Sequence, residues 1–145
     1  MSDSTTLDST TIGPHELRYE RDSGFIVLVH HGVLEPAHIV ELTETMDRWV
    51  DRYQPGGALF IVVDVRNSGG ITSEARERAA VSGLRNAESY VAVFGASFAI
   101  RVVLNLVFKA IALTSKTSFF TIKGTEEEAR AWLAEHHRAR SARNP

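Results

Sequence analysis

The chain has 145 residues, 43% of them hydrophobic and 23% charged, with a formal net charge of -2. That length and balance describe one globular domain with a single core, and they exclude a global field that would draw the chain to nucleic acid or to an anionic membrane. There is no cysteine, so disulfide and thiol chemistry are excluded, as suits the cytoplasmic setting expected for the protein.

Seven of the first thirteen residues, MSDSTTLDSTTIG, are Ser or Thr, and Asp3 and Asp8 are their only charged side chains. Residues 1–14 therefore read as a disordered tail rather than a targeting signal. Leu17 to Glu20 alternates weakly, Asp22-Ser23-Gly24 is a tight turn, and Phe25 to His31 is a strong strand. Together they predict a β-hairpin that opens the domain. Pro36 then suits a first helical turn, and Ile39, Leu42, Met46, Trp49, Val50 and Tyr53 form one stripe at helical spacing that ends before Pro55-Gly56-Gly57. Ala58 to Val65 is a continuous apolar run, as expected of a strand buried on both faces.

Asn67-Ser68-Gly69-Gly70 reads as a loop, after which Thr72 or Ser73 can cap a helix running to about Arg85. The apolar stripe of that helix, Ala75, Ala79 and Leu84, is thin and predicts a surface position. Tyr90 to Phe94 is the next buried strand and Ser118 to Ile122 the last. Thr125-Glu126-Glu127-Glu128 is a capping box that starts a final helix with Ala129, Trp132 and Leu133 inward. The order β-β-α-β-α-β-α-β-α implies a mostly parallel five-stranded sheet with four helices, in one domain over residues 15–137. Residues 138–145 read as a frayed basic tail.

The most informative segment is VAVFGASFAIRVVLNLVFKAIAL, residues 91–113. It is a strand, a Gly-Ala-Ser turn that lets Ser97 cap, and a helix apolar almost all round. Its only charged or amide side chains are Arg101, Asn105 and Lys109, one every four residues. Sixteen helical residues reach only ~24 Å against a hydrocarbon core of ~30 Å, so the helix does not span a membrane. Such a helix covers a partner, a ligand or another part of the protein.

Three segments carry a resemblance to the SpoIIAA-like family, relatives of the STAS domains (sulfate transporter and anti-sigma-factor antagonist). They are the opening hairpin with its long helix, VAVFGASFAIRVVLNLVFKAI with its G-x-S turn, and FFTIKGTEEEARAWLAEH at the end, covering about Leu17 to His137. The resemblance implies a small α/β sandwich akin to STAS and CRAL-TRIO lipid-transfer folds, in a family largely without an assigned activity. It also implies protein partners and a phosphorylatable serine near a helix N-terminus in a pattern similar to Asp-Ser-x-Gly-Leu. The nearest match here is Asn67-Ser68-Gly69-Gly70-Ile71, with Asn67 in place of the acidic residue. Ser68 is therefore the candidate phosphorylation site.

In open α/β sheets ligands sit beyond the carboxyl ends of the parallel strands. Asp64 and Ser68 from one loop, and Ser97 and Arg101 from the next, are the candidate anion- or ligand-binding residues. The plain structural reading is that Ser97 only caps and that Arg101 pairs with Asp64. Asn105, Leu106 and Lys109 are the candidate interface residues, because a helix on a small sheet cannot bury its whole circumference. No catalytic residues are assigned: FGASFA lacks the second glycine of a nucleophile elbow, and the six histidines show no metal-binding spacing. The expectation is a non-enzymatic regulatory or protein-interaction module without cofactor or metal. It is expected to be homodimeric, with no nucleic-acid partner and no transmembrane segment. The alternative is binding of a small lipid-like amphiphile, its head at Ser97 and Arg101.

Overall fold

The computed structural model describes residues 6–82 and 88–143. Three strands open the domain: β1 (Thr6–Ile12), β2 (His15–Glu20) and β3 (Ile26–Leu34). Helix α1 (Pro36–Tyr53), strand β4 (Leu59–Ile71), helix α2 (Ser73–Ser82), strand β5 (Ser89–Phe94), helix α3 (Phe98–Thr114), strand β6 (Ser118–Lys123) and helix α4 (Glu126–Arg143) follow. The six strands form one sheet in the order β1-β2-β3-β4-β5-β6. The first two pairings are antiparallel and the last three parallel.

Strand order decides where the helices go. Parallel crossovers are right-handed, and each successive parallel strand is added on the same side of the last. All three crossover helices must then fall on one face. Accordingly α1, α2 and α3 lie side by side there, and α4 alone crosses β4, β5 and β6 on the other. The alternation within each strand serves both faces. Leu59, Ile61, Val63 and Val65 of β4 join α1 and α3 in one core, while Phe60 and Val62 meet Ala129 and Leu133 of α4 in the other. This is why the central strands read as unbroken apolar runs. A helix is ~10 Å wide and strands lie ~4.8 Å apart, so one helix cannot cover six strands. The face of β2 on the α4 side carries Glu16, Arg18 and Glu20 instead of apolar groups, and Arg130 of α4 reaches it by pairing with Glu20.

The α/β class, the opening hairpin and the four helices stand as the sequence predicts, and three boundaries differ. The sheet has six strands, because Thr6–Ile12 pairs with β2 instead of forming a tail. That strand is polar and has no apolar alternation, but Ile12 at its end is buried in the α1-side core. Residues 67–70 are not a loop: β4 continues to Ile71 by pairing with the end of β3, His31 opposite Asn67 and Gly32 opposite Ser68. A Cβ on Gly69 would stand 3.0 Å from the Gly32 backbone, so glycine is what allows the two chains to close there. The basic tail is helical to Arg143, where Arg140 and Arg143 pair with Glu88. The expected end of the second helix, with Leu84 and Arg85, lies outside the described residues.

Candidate functional site

At the carboxyl end of β4, Asp64 is buried and held by its second neighbour along the chain. The Arg66 guanidinium donates to it twice, from Nε to Oδ1 at 3.0 Å and from Nη2 to Oδ2 at 2.7 Å, and the Arg66 backbone N–H adds a third bond at 3.0 Å. The Arg66 bonds hold the Asp64 carboxyl below the usual carboxylate range, against the opposing effect of burial. Arg66 also lies over the Phe94 ring, 5.3 Å from its centroid. Its stem crosses Gly95, whose φ is +81° and where a Cβ would approach Arg66 Cγ to 2.3 Å. Gly95 is thus required twice, by its left-handed backbone and by the side chain above it.

Arg101 therefore does not pair with Asp64; Arg66 takes that place because it shares the strand and needs no long reach. Ser97 is the N-cap of α3 and accepts a hydrogen bond from the Ile100 backbone N–H at 3.3 Å. Ser68 sits in the extended arm of β4, where its hydroxyl accepts from the Gly70 N–H at 3.1 Å. The first turn of α2 is capped by Thr72, which accepts from the Ala75 N–H at 3.0 Å. Asp64, Ser68 and Ser97 are thus each engaged by a partner within their own stretch of chain. His31 Nε2 bonds Glu16 Oε2 at 2.7 Å.

Helix α3 behaves unlike the rest of the core. It buries only Leu104 and Val107, and leaves Phe98 83%, Leu106 57% and Leu113 84% exposed. Phe98, Val102 and Leu106 follow one another at helical spacing and make an apolar ridge. Asn105 and Lys109 lie on a different flank, together with Arg101. That flank borders an open groove of about 670 Å³ along β6, whose other wall is Trp132 and His136 of α4. Phe108 stacks on Phe120 at 4.4 Å between centroids and anchors the helix to the strand beside this groove. Sequence reading missed the groove, because nothing local shows that β6 ends the sheet.

It also missed a histidine cluster. The hairpin register that pairs Glu16 with Val29 sets His15 and His30 side by side, 5.0 Å between ring centroids, and His38 of α1 stands 4.8 Å from His15. His15 and His30 are fully or almost fully buried, and burial pushes the His30 pKa down to about 4, with the neighbouring histidines adding to it. His15 Nδ1 accepts from the His31 N–H at 3.2 Å, and His38 Nδ1 accepts from the Glu35 N–H at 3.1 Å. The acceptor role of His15 fits a neutral ring. Among the described residues no group of three His, Cys, Asp or Glu side chains is arranged to hold a metal ion. A separate apolar cavity of about 170 Å³ lies between α1, the sheet and the end of α3, lined by Leu28, Ile39, Met46, Ile61, Ile111 and Phe120. No helix among the described residues is long and apolar enough to cross a membrane.

A family model described as SpoIIAA-like matches residues 25–134. Among solved structures the chain is similar to an uncharacterised protein with a SpoIIAA-like fold from Shewanella loihica PV-4. The two share 12% identity over 92% of this chain and 98% of that one, with a TM-score of 0.52. It is also similar to the anti-sigma factor antagonist SpoIIAA in its unphosphorylated form, at 15% identity over 76% of this chain and 89% of that one, with a TM-score of 0.43. At 12% identity the first likeness shows the fold alone. No curated protein matches the chain.

Proposed function

The chain belongs to the SpoIIAA-like family, and on that premise we propose that it is a regulatory protein-interaction module of the anti-sigma-factor-antagonist type, working without catalysis and as a homodimer. The observation that carries this reading is the exposed ridge Phe98, Val102, Leu106 on a helix that buries two residues. An apolar ridge of that kind is suited to a partner surface. A two-fold axis through the ridge would set each copy against its equal, which is the commonest way to close an oligomer. The side chains that chemistry would need support the non-enzymatic part: Asp64 is committed to Arg66, His31 to Glu16 and Ser97 to its cap. Light scattering of the wild type is expected to give a dimer and Leu106→Glu a soluble monomer. A wild type that is monomeric at tens of micromolar, a concentration where a micromolar Kd would populate the dimer, overturns the dimer.

The apolar cavity favours a second reading, binding of a small amphiphile. Its 170 Å³ is below the usual ~300–1,000 Å³ of ligand pockets, so it suits a short apolar group. Ile111 lines it near the far end of α3, ~21 Å along the helix from Ser97 at 1.5 Å per residue. A head group at Ser97 and Arg101 would thus lie far from this cavity. Native mass spectrometry that finds only apoprotein, with no thermal shift across short-chain fatty acids, counts against this reading.

A further inference from the structure

We propose that the open edge of β6 is a docking strand for an extended, acidic segment of a protein partner, which adds to the sheet as a seventh strand. β6 ends the sheet, so the backbone groups pointing away from β5 remain for another strand to pair with. The groove of about 670 Å³ follows this edge, with α3 on one side and α4 on the other. In an added strand alternate side chains point to the two faces of the sheet. On one face they meet Arg101, Asn105 and Lys109; on the other they meet Phe119, Trp132 and His136.

The two walls ask for different chemistry. Arg101 and Lys109 are exposed and Lys123 at the end of β6 is half-buried, and none of the three has an ion pair among the described residues. The opposite wall is aromatic, with Phe119 stacked on Tyr90 and Trp132 against His136. Spacing matches as well as charge. Helical residues four apart rise ~6 Å, and strand residues two apart rise ~6.6 Å. A strand with carboxylates at positions i and i+4 therefore places one at Arg101 and one at Lys109, with Asn105 facing the residue between. Its intervening apolar residues fall on the aromatic wall. A second copy of this chain does not fit this edge, because pairing β6 with β6 about a two-fold axis sets the two cationic rows side by side.

This names a partner class for the interaction module and rests on that reading. It uses a different flank of α3 from the Leu106 ridge, so the two surfaces fail separately. The probe is a labelled peptide, acetyl-Glu-Val-Thr-Val-Glu-Val-amide, followed by fluorescence anisotropy with the full chain. Binding is expected to weaken at least tenfold in the Arg101→Glu, Lys109→Glu double variant, and to weaken with added salt. The same peptide with Lys for Glu is expected not to bind. Amide exchange at Ser118–Lys123 is expected to slow when the acidic peptide is added. Leu106→Glu is expected to bind the peptide as the wild type does, whatever its oligomeric state. The inference is overturned if the acidic peptide does not bind, if charge reversal leaves its binding unchanged, or if protection appears away from β6. It is equally overturned if β6 amides are already protected in the free protein and lose that protection on dilution, which would make a second copy the occupant.

Discussion

Helices α1 and α3 pack on the same face of the same sheet and are nearly equal in length, 18 and 17 residues. Their use of apolar residues differs. α1 is amphipathic and puts Leu42, Met46, Trp49 and Val50 into the core, with polar residues outside. α3 is more apolar, yet only Leu104 and Val107 are buried. The difference lies in what each helix has beneath it. α1 crosses the β1–β3 side, where Ile12, Leu17, Tyr19 and Leu28 rise to meet it. α3 meets β4, β6 and α2 and buries only two of its residues, so much of its surface has no partner within the fold. Apolarity beyond what a fold can bury then marks surface kept for something else.

Substitutions can break that contrast. Trp49→Ala should have the largest effect, about 3–5 kcal/mol by urea unfolding, since Trp49 is buried and packs edge-on against Tyr19 at 6.3 Å. A cost below ~1 kcal/mol would mean that α1 is no better anchored than α3.

Acid should strike the α1 side next. An unfolded histidine titrates near 6.5 and His30 at about 4 in the fold, so its neutral buried form contributes fully above pH 6.5. That contribution is lost as pH falls from 6.5 toward 4, about 2 kcal/mol between pH 7 and pH 5. His30→Leu should shrink the drop in urea midpoint over that interval. An unchanged drop would place the acid sensitivity elsewhere.

Gly95→Ala, at the entry to α3, should cost about 1–3 kcal/mol, because it strains a positive φ and displaces Arg66 from Asp64. Adding Arg66→Ala should then cost little more, as the first change already breaks the pair; a fully additive loss in thermal unfolding would show that Arg66 had not moved. Leu106→Glu closes the scale. On the exposed ridge it should change monomer stability by no more than about 0.5 kcal/mol, since no burial is lost.

Much of this was legible without coordinates. Proline at the start of α1, serine before α3 and the threonine-glutamate box before α4 are local signals, and the structure places each where the sequence implies. The unbroken run in β4 identified a central strand for the same reason. What escaped is non-local. Thr6–Ile12 has the composition of a tail and becomes a strand only because β2 offers it a partner. The glycines at 69 and 70 look like a loop until the end of β3 pairs with them. The plain reading of the sequence pairs Asp64 with Arg101, and the carboxylate is instead held by Arg66, two residues on in the same strand.

The sequence by itself determined the four helices and the strands from β2 to β6 apart from the far end of β4, the single apolar helix, and the cations along it, because periodicity and capping act within a few residues. The tertiary structure decided that β6 is an edge, that the α3 cations face a groove along it, and that His38 joins the buried His15 and His30 in one cluster. Those facts follow from strand order and register, which depend on hydrogen bonds between segments far apart in the chain.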